Sequence, residues 1–401
     1  MKREARDIRD RMPRPVRRIP LSEGPLRKRG VAFALALLAA GLALFFALRA
    51  LTRVDRGWAW VEAESSGGPV SEVRLWAELG AGEDSPLTER RFLTGVFSEA
   101  SREVRALLSP YELTAGVTNL YWINHHPGEE LQVDPRLYRA LRQAAELGRW
   151  IFMGPVYEIW DGVYFSADDL EASRADPRRD ADTAKALEEL RGLLMREDQI
   201  SLSFPGENRV RLNLSPELRA LAEACGTDRY LDFGWMENAF AADLLAEAMT
   251  AAGWTRGLLV SPDGFARCLD DRGNFALEIR AEAQGKVMTL AQGAYQGPAA
   301  VAQLLPRPEG ARPRSYRYAD GEIRSPWISQ ADGLDRRPVD GLDLVARGGS
   351  CVQLLDLAAE LLTADRFSPE ALEARAEEGI SLVAVSEGRI YSAGDPLDGI
   401  Q

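Results

Sequence analysis

The stretch Val31–Leu48, VAFALALLAAGLALFFAL, runs for eighteen residues without a charge or a strongly polar side chain. As a helix it would extend about 27 Å, the short end of what a hydrocarbon core of about 30 Å requires. Arg27, Lys28 and Arg29 precede it, and Arg49, Arg53 and Arg56 follow. Residues 1–30 hold eleven Lys/Arg against four Asp/Glu, a net of +7, which leaves −19 of the total −12 for the rest. Basic residues accumulate on the cytoplasmic side of a span. The expected organisation is therefore a basic cytoplasmic tail over 1–30, one transmembrane helix over 31–48, a juxtamembrane linker over 49–69 and a main extracytoplasmic domain over 70–395. The expected location is the cell membrane. Trp58 and Trp60 fall where an interfacial aromatic belt is expected. A cleaved signal peptide is the competing reading, but the run is longer than a usual signal core and no A-x-A follows it.

Composition narrows the chemistry of the body. An acidic domain does not suit nucleic acid, which calls for a basic stripe. The only histidines are His125 and His126, and the only lysines are Lys2, Lys28, Lys185 and Lys286. Histidine-based and lysine-based mechanisms are thus nearly closed. Cys225, Cys268 and Cys351 are too few and too scattered for a disulfide framework, so unpaired thiols are expected.

The body mixes helix and strand signals. Asp134-Pro135, Ser215-Pro216 and Ser368-Pro369 each place a capping side chain before a proline, which predicts three helix starts. Gly148, Gly226 and Gly379 mark their stops. Further helices are predicted over 91–108, from an apolar stripe, and about 238–252. Strands are predicted at 71–79, 200–204, 210–214, 257–260, 275–281, 341–346, 380–385 and 388–391. Regular β-α-β alternation is missing, so the fold class is α+β. Residues 166–184 and 304–318 read as loops.

No phosphate-binding loop, dinucleotide glycine motif, zinc motif or nucleophile elbow occurs. Three weaker constellations remain. His125-His126 with Glu129 or Glu130 makes a metal site or, more simply, a solvated turn. Arg307, Arg312, Arg314, Arg317 and Arg324 interleave with Tyr316 and Tyr318, which suits a phosphate or a flat ring, or an ordinary basic surface. Arg347–Ser350, between a strand and a helix, offers backbone N–H groups to an anion or is a plain turn.

The segment YLDFGWMENAFAADLLAEAMTAAGWTRGLLVSPDG (230–264) resembles a hallmark of the FAD:protein FMN transferase (ApbE-like) family, D-L-G-G-x-A-K-G-x-A-x-D, a helix, a strand and N-x-G-G. Asp232, Gly234, Ala241 and Asp243 fall on matching positions, and Gly264 on the last glycine. GEIRSPWISQADG (321–333) resembles the family's G-K-x-Y-x-H-I-I-D-P-x-T-G. GLDLVARGGSCVQLLDLAAELL and GISLVAVSEGRIY resemble its last strand, helix and closing hairpin. The resemblance covers about 70–395. It implies an ApbE-like fold of mixed and antiparallel sheets with packed helices. It further implies FAD and Mg²⁺ as cofactors, an exported or membrane flavoprotein as partner, and transfer of FMN to a Thr or Ser of that partner.

The residues that would carry the chemistry depart from the family's pattern. Asn238 stands at the lysine, Trp235 and Ala239 at glycines, Ser261 at the asparagine and Asp263 at a glycine. Pro326 stands at the histidine, Ser329 at the aspartate, Gln330 at the proline and Asp332 at the threonine. The metal aspartate and threonine align with Gln353 and Leu357 or, after a three-residue slide, with Asp356 and Glu360. The resemblance therefore implies cofactor contacts at Asp232, Gly234, Asn238, Asp243, Ser261, Gly264 and Ser329. Asp356 and Glu360 are the metal candidates, and no catalytic residue is assigned. The expectation is a non-catalytic or weakly active, flavin-binding or scaffolding relative. The alternative is an active Mg²⁺-dependent transferase.

Overall fold

The computed structural model describes residues 26–51, 54–307, 314–376 and 378–399. Most of the expected basic tail, residues 1–25, lies outside the described residues. The chain divides into two units, 1–54 and 55–401.

The first unit contains helix α1 (Leu26–Leu51). Within it, Lys28–Ala47 has a mean hydropathy of 2.4 over a membrane-spanning length and no buried residue. It has the length and composition of a membrane span and, lying near the N-terminus, equally of a signal sequence.

In the second unit the strands are β1 (Gly57–Val61), β2 (Arg74–Leu79), β3 (Leu131–Gln132), β4 (Ile200–Gly206), β5 (Arg209–Leu214), β6 (Gly257–Val260), β7 (Phe265–Cys268), β8 (Asn274–Ala283), β9 (Lys286–Gln296), β10 (Ala299–Leu304), β11 (Tyr316–Arg317), β12 (Ile323–Arg324), β13 (Gly341–Arg347), β14 (Ile380–Ser386) and β15 (Arg389–Gly394). The helices are α2 (Pro86–Leu108), α3 (Leu120–His125), α4 (Pro135–Glu146), α5 (Gly154–Tyr164), α6 (Asp169–Ala175), α7 (Ala181–Leu194), α8 (Pro216–Ala224), α9 (Glu237–Ala251), α10 (Cys351–Thr363) and α11 (Pro369–Ala374).

An antiparallel sheet of order β1-β2-β6-β7-β10-β13-β14-β15 forms the centre. One face receives α9 and α10, with α2 packed on α9. The other face is covered by the β8–β9 hairpin through Leu277, Ile279 and Tyr295, which meet Cys268, Val301, Val345 and Val383. Because both faces are covered, β13 and β14 are buried almost throughout and read as continuous apolar runs rather than alternating ones. Each fully buried Leu, Ile or Val contributes about 1.5–3 kcal/mol. Between β2 and β6 the chain makes a helical lobe, α3 to α8, with the small sheet β3-β5-β4.

The capping signals act as the sequence suggests. Asp134 Oδ1 accepts from Arg136 N–H, Ser215 Oγ from Leu218 N–H and Ser368 Oγ from Ala371 N–H. Each cap is worth about 1 kcal/mol. The structure differs from expectation in three places. The sheet begins at Gly57, inside the stretch expected to be a linker, because β1 pairs in full register with β2, from Gly57 opposite Leu79 to Val61 opposite Leu75. The stretch 166–184 is not a loop: Asp168 and Asp180 cap α6 and the start of α7. The paired strand Arg74–Leu79 starts late because Ser71 instead donates its N–H to Ser101 of α2.

Candidate functional site

A cleft of 660 Å³ opens beside the start of α9. Its walls come from Pro69–Glu72, the C-terminal end of α2 (Val104, Arg105, Leu108), Tyr111 and Glu112, Gly234, Trp235, Glu237 and Asn238, the turn residues Pro262, Asp263 and Phe265, Leu304, Leu305 and Trp327.

The turn into α9 sets one wall. Gly234 N–H donates to the buried Asp232 Oδ1 at 2.7 Å. Gly234 has φ +58°, and a Cβ there would lie 2.5 Å from the Tyr157 ring. Only glycine satisfies both conditions without displacement. Trp235 then turns inward, 5% exposed, with its ring edge-on to Trp150 at 6.4 Å.

The β6–β7 turn sets the facing wall. Ser261 Oγ accepts from Phe265 N–H at 2.8 Å and bonds the Asp263 carboxyl. Asn238 Nδ2 donates to Asp263 Oδ2 at 2.9 Å. Burial holds the Asp263 carboxyl above the usual range, partly offset by these two hydrogen bonds. Gly264 has φ +108°, and a Cβ would stand 1.9 Å from the Gln303 carbonyl oxygen of β10.

A charged network borders the cleft, with Asp161, Glu237 and Arg314 on its lining. Arg229, 5% exposed, pairs with Asp161 at 2.8 Å and Asp232 at 3.1 Å. Arg314 reaches the Tyr111 hydroxyl and lies 3.7 Å from Asp161. Glu237 pairs with Arg105 at 3.4 Å, and burial pushes its carboxyl up to about 7 against the pull of Arg314 and Arg105. Of these residues only Asp232, from the motif, and Arg314, in its arginine run, were among the sequence candidates. Arg229 and Asp232 are three residues apart, but the pairs Arg229–Asp161, Arg105–Glu237 and Arg314–Tyr111 join residues 68, 132 and 203 apart, where spacing carries no signal. Glu237 could have been found, since it adjoins Asn238 in the quoted motif.

The structure gathers Gly234 and Asn238 directly on the cleft, with Asp232, Ser261 and Gly264 supporting its turns. It does not bring the others there. Asp243 closes the N-terminus of α10: Cys351 N–H and Val352 N–H donate to its two oxygens at 3.0 and 2.9 Å, and Arg267 pairs with it. The next N–H, of Gln353, goes to Ser350 Oγ at 3.1 Å. The first three N–H groups of α10 are therefore taken, and those of Arg347, Gly348 and Gly349 go to the carbonyls of Gly379, Pro298 and Ala346. Ser329 Oγ accepts from Ala331 N–H at 3.2 Å inside its own turn. Asp356 and Glu360 lie on the outer face of α10, their side chains 63% and 49% exposed, where Arg375 pairs with both. Among the described residues no group of three His, Cys, Asp or Glu side chains converges on a metal position.

The remaining constellations resolve into structure. His125 and His126 stack on Tyr121 and Trp122 one turn earlier in α3 and bond the backbone oxygens there. Arg317 pairs with Glu282, and Arg324 pairs with Asp176 at 2.7 Å. Arg312 lies outside the described residues. Cys225 is exposed and Cys268 and Cys351 are buried, all three as free thiols.

No protein-family model matches the sequence, and no curated protein matches it. Solved structures do. The ApbE protein of Thermotoga maritima is similar at 14% identity and a TM-score of 0.60, covering 84% of this chain and 97% of its own. The flavin transferase ApbE of Vibrio cholerae is similar at 15% identity and a TM-score of 0.53, covering 85% and 98%. The fold is ApbE-like, α+β with antiparallel sheets.

Proposed function

We propose that the chain is a single-pass membrane protein whose extracytoplasmic ApbE-like domain binds a flavin or scaffolds an exported or membrane flavoprotein, without transferring FMN. The observation that carries this reading is Asp263. Its carboxyl, gripped by Asn238 and Ser261, borders the cleft where the resemblance calls for a glycine open to a diphosphate. A carboxyl there opposes an anionic ligand rather than neutralising one. The absence of lysine at Asn238 and the sealed start of α10 remove two further anion-holding groups.

The donor set does not fit Mg²⁺. A hard divalent cation calls for converging oxygen ligands. Asp356 and Glu360 are committed to Arg375 on the outside of α10 instead. The walls do suit a flat ring: Trp235, Trp327, Phe165 and Tyr111 line the cleft. The anchored, outward-facing arrangement is supported by α1 and by the +7 charge of residues 1–30.

The test incubates the full chain in detergent with FAD, Mg²⁺ and a peptide bearing an acceptor threonine. Expected are FAD fluorescence quenching, no AMP and no flavinylated peptide. Metal-dependent AMP release with a labelled peptide would refute the non-catalytic reading in favour of FMN transfer. Unquenched FAD would remove the flavin and leave the scaffolding role.

A further inference from the structure

The tryptophans that follow the anchor, Trp58 and Trp60, lie on the first strand of the folded domain. On β1, Trp58 and Trp60 project to the same side, 36% and 43% exposed, while Val61 is buried. Trp60 sits opposite Trp76 of β2. The Trp76 ring lies 4.6 Å from that of Trp58 and 6.1 Å from that of Trp60, and Phe275 closes one flank at 5.9 Å from Trp58. The Arg74 guanidinium stands over Trp60 at 4.8 Å. This is the margin of the core beneath the β8–β9 hairpin, and it leaves two indoles in the open. A sheet edge is normally blunted with charge or cover, not furnished with tryptophan.

The covalent chain limits where this face can be. Trp58 is seven Cα-to-Cα steps beyond Leu51, the end of α1. Fully extended they reach about 25 Å. If α1 spans a bilayer, Trp58 lies at most about 25 Å from the end of the span, a reach that takes in the headgroup region. Indoles combine an apolar ring with a polar N–H and concentrate at that boundary, and a guanidinium beside them reaches lipid phosphate.

We propose that the outer face of β1 and β2 beds into the lipid headgroup region of the bilayer that holds α1, with Trp58 and Trp60 as the inserted groups and Arg74 as the phosphate contact. The inference rests on the anchored reading of α1.

The full chain is reconstituted into phosphatidylcholine vesicles whose acyl chains are brominated near the headgroup. None of the nine tryptophans lies in α1, so contact quenching reports the folded domain alone. Expected is a loss of roughly two tryptophans' share of the emission. That loss should be absent in the Trp58→Phe/Trp60→Phe variant, which keeps Trp76 and the ring packing. Acrylamide, a water-borne quencher, provides a second reading on the wild type alone: reconstitution should shield the same fraction relative to detergent-free aqueous exposure of the other rings. Unquenched wild-type emission in a chain that stays in the carbonate-washed membrane pellet would overturn the docking while leaving the anchor intact. Release of the chain by carbonate would overturn both.

Discussion

Glu237 offers a direct test of the electrostatics at the cleft. It is the first residue of α9 and lines the cleft, and burial raises its carboxyl from 4.5 to about 7. The folded state therefore keeps a proton that the unfolded state has already lost between these two values. Stability attributable to this group is complete below about pH 4.5, falls as pH rises, and has fully gone above pH 7. At about 1.4 kcal/mol per tenfold change the ceiling is about 3 kcal/mol. The side chain is 19% exposed and faces Arg105, so screening reduces the expected effect to about 1–2 kcal/mol. Glu237→Gln removes the titration and keeps an acceptor for Arg105. Urea unfolding of both proteins, followed by tryptophan emission from pH 4.5 to 8.5, should show the variant gaining that amount on the wild type as pH rises. Reading the change with pH cancels any constant offset from the substitution. A difference that stays flat, or that falls with pH, would refute the assignment of burial as the dominant cause.

Gly264→Ala should cost at least about 3 kcal/mol, since a methyl group would press on the β10 backbone from a φ that side chains avoid, and a thermal melt that barely moves would contradict the turn geometry. Asp343, buried on β13 with Gln303 Nε2 donating to it at 2.9 Å, is likewise pushed up to about 7, so Asp343→Asn should gain stability relative to wild type over the same rise in pH. Cys225 is the exposed thiol, so a membrane-impermeant maleimide should label it on intact cells, and labelling only after lysis would reverse the topology.

Much of the scaffold was legible because its signals are local. A cap and its proline are adjacent and the closing glycine follows within about four turns, which marks out α4, α8 and α11. The strand at Gly257–Val260 was read to the residue, since four apolar residues between Arg256 and Ser261 leave little choice. The β8–β9 hairpin was half read. Lys286–Gln296 alternates poorly and carries Gly293, and its pairing slips register at Ile279/Arg280. At the cleft, the turns around Gly234 and Gly264 and the position of Asp232 follow from the motif, whereas the Arg229–Asp161 pair joins residues 68 apart that spacing does not connect. Asp356 misled because its neighbourhood in sequence looks right while its side of the helix is wrong.

Asp243 has a consequence for motion. It belongs to α9, yet it holds the first two N–H groups of α10 and the Arg267 side chain of β7. Three elements are thus bolted through one carboxylate, and α9 carries the Glu237–Ala241 wall of the cleft. That wall is the stationary jaw. The opposite side is fastened otherwise, by single contacts of loop residues: Ser71 to Ser101 of α2, Glu112 to Asn119, and Arg314 to Tyr111 and Asp161.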